Sequence, residues 1–147
     1  MKGYGYGVWL VPKSKIPSIK HIPHITIMCN MNKEDAIELY KILSEKYKDP
    51  IKMYVNKICR ILPGSYDNDP LYGSGFDCKY NEFSEIMKIC HKFTGDKSFS
   101  PHLTYHYSNT KSKVISDSFE NDLYSLCDIK PAFIDDIDPT KWSIIEL

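Results

Sequence analysis

The sequence predicts an α+β domain built on a largely antiparallel sheet, and three features point that way. Short runs rich in aromatic and β-branched residues recur along the chain. Only two stretches carry a strong 3.6-residue apolar period, and the two kinds do not alternate as parallel βαβ units would. A chain of 147 residues with 42% hydrophobic content suits one domain, spanning 1–147, with a continuous core.

Taken in order, residues 5–11 mix glycine, aromatics and valine and stop at Pro12, which reads as a buried strand. Residues 13–23 read as a loop, with two prolines and alternating lysines. A strand with alternating polar and apolar positions follows over 24–28. A helix over 32–48 presents Ile37, Tyr40, Leu43 and Tyr47 on one face, with Asn32 as its cap. Residues 51–62 read as strand ending at Pro63 and Gly64, 65–70 as a polar loop, and 71–80 as strand again. A second helix over 82–93 runs through Phe83, Ile86, Cys90 and Phe93, with Asn81 as cap and Gly95 as stop. A strand at 102–107, a weaker helix at 114–127 and a closing strand at 142–147 complete the reading.

Nineteen basic residues balance nineteen acidic ones, so no strong attraction to long duplex nucleic acid is expected, and a small anionic ligand fits better. The five cysteines, Cys29, Cys59, Cys78, Cys90 and Cys127, form no C-x-x-C pair and read as reduced core residues. No apolar run has the length of a membrane span, and Met1-Lys2-Gly3-Tyr4 is not the start of a signal peptide. A cytoplasmic protein without membrane association is the expectation.

One phrase occurs twice. Pro23-His24-Ile25-Thr26-Ile27 returns as Pro101-His102-Leu103-Thr104-Tyr105. Proline suits the first step into a strand, where the ladder has not begun. Side chains alternate along a strand, so His24 and Thr26 share one face and Ile25 and Ile27 the other, and likewise for His102 and Thr104 against Leu103 and Tyr105. If the two strands lie side by side, two imidazoles and two hydroxyls converge on one cleft. Displacement at phosphorus needs a base for the attacking oxygen and an acid for the leaving one, and imidazole, with a pKa of about 6.5, serves either role near neutrality. The hydroxyls of Thr26 and Thr104 would hold the non-bridging oxygens. A lone H-x-T arises often by chance, whereas two matched copies, each after proline, do not.

These motifs resemble those of the two-histidine phosphoesterase superfamily, and the strand Val8-Trp9-Leu10-Val11-Pro12 with Pro-His-hydrophobic-Thr at both sites is most similar to its cyclic phosphodiesterase branch. The resemblance implies a bilobal, pseudo-twofold fold around a central cleft, His24 and His102 as catalytic pair, Thr26 and Thr104 as phosphate ligands, and no metal or other cofactor. It implies hydrolysis of nucleotide cyclic phosphates or small cyclic or 2′-5′ oligonucleotides. The small size and Lys/Ile/Asn/Tyr-rich composition resemble compact viral members that destroy immune-signalling nucleotides in the host cytosol. Relatives place a helix before the first histidine motif. Here only 13–23 intervenes, so one lobe is trimmed.

Further candidates surround the motifs. His106, two residues past Thr104, is expected on the face of His102, as a cleft or orienting residue. His21 is either solvent exposed or near substrate. Tyr4 and Tyr6 are candidates for stacking on a base, while Trp9 in an apolar strand reads as core. Tyr66 and Tyr72 could flank a lid, and Lys13 and Lys15 could steer phosphate. Asp135, Asp136 and Asp138 before Pro139 read as a turn rather than a metal site. Two competing functions remain at this level: a catalytically silent module that sequesters nucleotides, against which the intact motifs argue, and a structural protein, which leaves the repeat unexplained.

Overall fold

The structure, a computed structural model, describes residues 3–13, 21–56, 60–66, 69–97, 100–108 and 124–147, with backbone alone at 60–66, 69–71, 105, 106, 108 and 124. Among the described residues, eight strands run in the order β1 (Tyr6–Pro12), β2 (Ile25–Met31), β3 (Ile51–Val55), β4 (Arg60–Tyr66), β5 (Asp69–Lys79), β6 (His102–Ser108), β7 (Tyr124–Phe133) and β8 (Ser143–Ile144). Helix α1 (Lys33–Lys46) follows β2, and α2 (Phe83–Cys90) lies between β5 and β6. Every pairing among the described residues is antiparallel, so the α+β expectation holds.

The pairings close on themselves. From β1 the path runs through β2, β6, β5, β3 and β7, and β7 pairs with β1 again. Two seams in this ring are thin: β2 meets β6 at the single register Ile25↔Leu103, and β3 meets β5 at Tyr54↔Lys79 and Val55↔Cys78. On one side of the seams stands the block β2-β1-β7-β3, with β8 added to β7. On the other stands β6-β5, with β4 added as an edge.

One face of this sheet is buried under the helices. Val8, Leu10, Ile25, Ile27, Ile51, Met53, Phe76 and Leu103 meet Ala36, Leu39 and Leu43 of α1 and Ile86 and Cys90 of α2 there. Asn32 caps α1, accepting from the Asp35 backbone N–H at 2.8 Å. The buried stripe of α1 is Ala36, Leu39 and Leu43, one position round from the expected face, with Tyr40 and Tyr47 packed at its margin. The opposite face carries a smaller cluster of Trp9, Cys29, Ala132, Ile134 and Trp142. Among the described residues, no helix is long and apolar enough to cross a membrane.

Glycine lets the flanking strands close on those that bear the motifs. A Cβ on Gly7 of β1 would lie 2.2 Å from the Met28 oxygen of β2, and one on Gly75 of β5 would lie 2.1 Å from the Leu103 oxygen of β6. Neither position has room for a side chain.

Several expected boundaries move. The strand expected over 51–62 is two, β3 and β4, which pair with the same partner, β5. Pro63 and Gly64, expected to stop it, lie inside β4. A strand paired on one side only can hold proline, because an N–H is not needed toward the open side. The polar loop expected at 65–70 is the end of the β4–β5 hairpin, whose register Tyr66↔Asp69 brackets two residues outside the description. The cap of α2 is Glu82 rather than Asn81, and it makes no side-chain capping bond.

The helix expected over 114–127 is overturned where it is described, since Tyr124–Phe133 is strand, paired with both β1 and β3; 114–123 lie outside the described residues. Its period is two: Cys127 and Ile129 are buried while Leu126, on the other face of the strand, is 44% exposed. Pro131 fits because its carbonyl accepts from the Ile145 N–H at 2.9 Å, so its nitrogen also faces away from β1 and no β1 bond is lost. The closing strand shrinks to β8, preceded by a 3₁₀ turn (Pro139–Lys141) that Asp138 caps through the Thr140 N–H at 3.0 Å.

Candidate active site

Both motifs approach the sheet in the same way. Each histidine follows a proline, and each ring turns back to the carbonyl two residues earlier: His24 Nδ1 lies 2.7 Å from the Ile22 oxygen, and His102 Nδ1 lies 2.8 Å from the Ser100 oxygen. A carbonyl only accepts, so each Nδ1 carries the proton and donates it. Each Nε2 is left as the nitrogen for chemistry.

The seam between β2 and β6 brings the motifs together. Ile25 and Leu103, both fully buried, face each other across it with their side chains in the main core. Stepping one residue either way along antiparallel strands sets His24 opposite Thr104 and Thr26 opposite His102. The four polar residues occupy the face away from the helices, as alternation predicts. On its other edge β6 pairs with β5, so that Asp77 stands opposite His102 and Gly75 opposite Thr104.

The two histidines differ in surroundings. His24 is 6% exposed and stacks on the Trp9 indole, with ring centroids 3.9 Å apart and 13° between planes. The edges of Trp142 at 5.7 Å and His21 at 6.0 Å complete its enclosure. Burial pushes its pKa down to about 3, against the pull of the Ile22 carbonyl and with smaller depressions from His21 and His102. His24 is therefore neutral throughout the physiological range, with Nε2 unprotonated. His102 is partly exposed.

Trp9 has the core position expected of it, at 0% exposure, and is also the platform under His24; its indole N–H is buried without an acceptor among the described residues. His21, expected either in solvent or near substrate, is 8% exposed and lies 2.9 Å through Nε2 from the Thr104 oxygen. Tyr4 packs edge-on to Trp142 at 6.0 Å, one ring removed from His24. Tyr6 goes elsewhere, to Phe133 at 5.6 Å and the margin of the main core. Between Thr104 and His106 the strand does not alternate simply, because Ser74↔His106 and Gly75↔Thr104 leave residue 105 unopposed; the His106 side chain, expected on the face of His102, lies outside the described residues. Lys13 is paired with Asp128 at 3.1 Å, while Lys15 is not among the described residues. Tyr72 lies in β5 opposite Ser108, and of Tyr66 only the backbone is described.

Two residues at the site escaped sequence reasoning. Tyr107 hydrogen-bonds the Thr104 hydroxyl, and burial raises its phenol above the usual range, so it stays protonated. Trp142 touches His24, Tyr107, Tyr4 and Trp9, and its indole N–H donates to the Asp136 oxygen at 2.9 Å. Tyr107 shares the motif strand, but strict alternation sets it on the face of Leu103, and it reaches the site's face because the register shifts at residue 105. Nothing near Trp142 in sequence marks it. No family model, curated protein or solved structure matches this chain.

Proposed function

We propose that this protein is a two-histidine phosphodiesterase acting on nucleotide cyclic phosphates or on small cyclic or 2′-5′ oligonucleotides. The observation that carries the reading is the β2–β6 seam, where each histidine stands opposite the other motif's threonine and both Nδ1 atoms are tied to backbone in one way. The thin seams between two sheet blocks support a bilobal reading of the fold.

The difference in burial divides the roles. His24, neutral with a bare Nε2, is the base, and His102 in its cationic form is the acid. Water attacks a cyclic phosphate and gives its proton to His24 Nε2. As the opposite phosphorus–oxygen bond breaks, the departing ribose oxygen takes a proton from His102 Nε2. With an oligonucleotide the attacker is the neighbouring ribose hydroxyl, and the product is a cyclic phosphate. A base held near pKa 3 is weak in the empty site, and the anionic phosphate between the rings raises its basicity on binding. Thr26 and Thr104 hold the non-bridging oxygens, and Tyr107 orients the Thr104 hydroxyl.

The test is a chromatographic cleavage screen in EDTA with nucleoside 2′,3′-cyclic phosphates, 2′-5′ oligoadenylate and cyclic di- and trinucleotides. Wild type should cleave at least one of them, and His24→Gln or His102→Gln should lower kcat about a thousandfold. Loss of wild-type cleavage in EDTA, or near-normal turnover by either variant, refutes the mechanism. A nucleotide bound tightly and recovered uncut replaces it with sequestration.

A further inference from the structure

His21 belongs to neither motif, yet it is buried and bonded at their junction. The described ladder between β2 and β6 has one register, Ile25↔Leu103. One residue further along β6, the Thr104 carbonyl meets a side chain, His21 Nε2, at 2.9 Å. Because a carbonyl only accepts, His21 carries its proton on Nε2, the opposite tautomer to His24 and His102. The next residue along the chain, Ile22, supplies the carbonyl oxygen, in the peptide between residues 22 and 23, that accepts from His24 Nδ1 at 2.7 Å. An unbroken chain of contacts thus runs from the backbone of the second motif, through His21, to the carbonyl that aims the first histidine. The His21 ring also lies edge-on to His24, with centroids at 6.0 Å, and to Tyr107 at 5.0 Å.

We infer that His21 is a positioning residue: by clamping the lead-in of the first motif to the Thr104 carbonyl, it fixes the Ile22 carbonyl and with it the tautomer and direction of His24. This rests on the reading of His24 as the base, so the test reads the ring directly as well as catalysis.

Two-bond proton–nitrogen correlation spectra of the histidine rings at pH 7.5 should show His21 protonated at Nε2 and His24 at Nδ1. In His21→Leu, which cannot donate, the His24 nitrogens should move toward a mixture of tautomers, and kcat should fall about a hundredfold with KM changed less than about threefold. In His21→Gln, whose amide reaches the same carbonyl without a ring, the single His24 tautomer and most of kcat should return. A residue that only stiffened the loop would lower the melting temperature of His21→Leu and leave His24 in its one tautomer; that result overturns the inference, as does failure of glutamine to rescue. If the leucine chain does not fold, the wild-type spectrum decides, since a His21 ring protonated at Nδ1 alone is incompatible with the clamp. A tautomer response in a protein that cleaves nothing upholds the positioning and refutes the phosphodiesterase reading, and cleavage without a response does the reverse.

Discussion

An imidazole with one nitrogen tied to a carbonyl has only the other left for chemistry, and its usefulness then depends on the surrounding dielectric. At His24 the tie is to Ile22, and the surroundings are the faces and edges of Trp9, Trp142 and His21. The unfolded chain takes up a proton there near pH 6.5, the folded chain only at about 3. Between those values the unfolded state binds more protons, so His24 favours folding fully above 6.5 and progressively less as pH falls toward 3. The slope from this one residue is up to about 1.4 kcal/mol per pH unit. Urea melts at pH 7 and pH 5 should therefore show a smaller loss in His24→Gln than in wild type, and equal losses would mean that His24 is not held neutral. The same burial makes alanine a poor probe at this position, because it would leave a hole beside Trp9; glutamine keeps volume and polarity. Alternation over five residues was enough to place the motif side chains on one face, since side-chain direction in a strand is a local property. Depth of burial is not local, and the sequence therefore held no sign that His24 and His102 would differ.

At the level of elements, the strands that bear the motifs depend on the strands beside them. Gly75 marks a close approach of β5 to β6, with a Cβ there set 2.1 Å from the Leu103 oxygen and 2.9 Å from the Thr104 Cα. Both contacts are to backbone, so no flexible side chain can yield. Gly75→Ala should push β5 from β6, cost about 1–3 kcal/mol in denaturant melts and lower kcat by displacing Thr104. Asn32→Ala is the matching control, since losing the α1 cap should cost about 1 kcal/mol and leave kcat unchanged. If Gly75→Ala keeps full activity at reduced stability, the close approach serves the sheet and not the site. The α1 cap was legible because Asn32 and the helix it starts are adjacent in the chain. The β4–β5 hairpin was hidden because Pro63, Gly64 and Pro70 carry turn chemistry and still pair along an edge. The Tyr124–Phe133 strand was hidden for a related reason: Pro131 argues against a central strand unless one knows which neighbour its nitrogen faces.

Across the whole molecule, the candidate site is assembled from distant parts of the chain. β1 supplies Trp9, the seam supplies the motifs, and the segment after β7 supplies Trp142, which is 5% exposed and covers His24 from the side opposite the main core. The antiparallel class followed from the pattern of short strands, but the closure of β1 on β7 and the arrival of Trp142 depend on long-range pairings that no local window contains. If Trp142 is what keeps water from His24, removing it should act on the titration of a ring it does not bond. Trp142→Ala should cost about 3–5 kcal/mol of stability for the lost aromatic and, by admitting water, raise the pKa of His24 from about 3 toward its ordinary value near 6.5. Trp142→Phe keeps most of the cover and should leave the titration low. Proton NMR titration of the His24 ring in the three proteins separates the cases. An unchanged value in the alanine protein would assign the desolvation to Trp9 and His21 alone, whereas a rise confined to that protein makes the C-terminal segment the element that holds the base neutral.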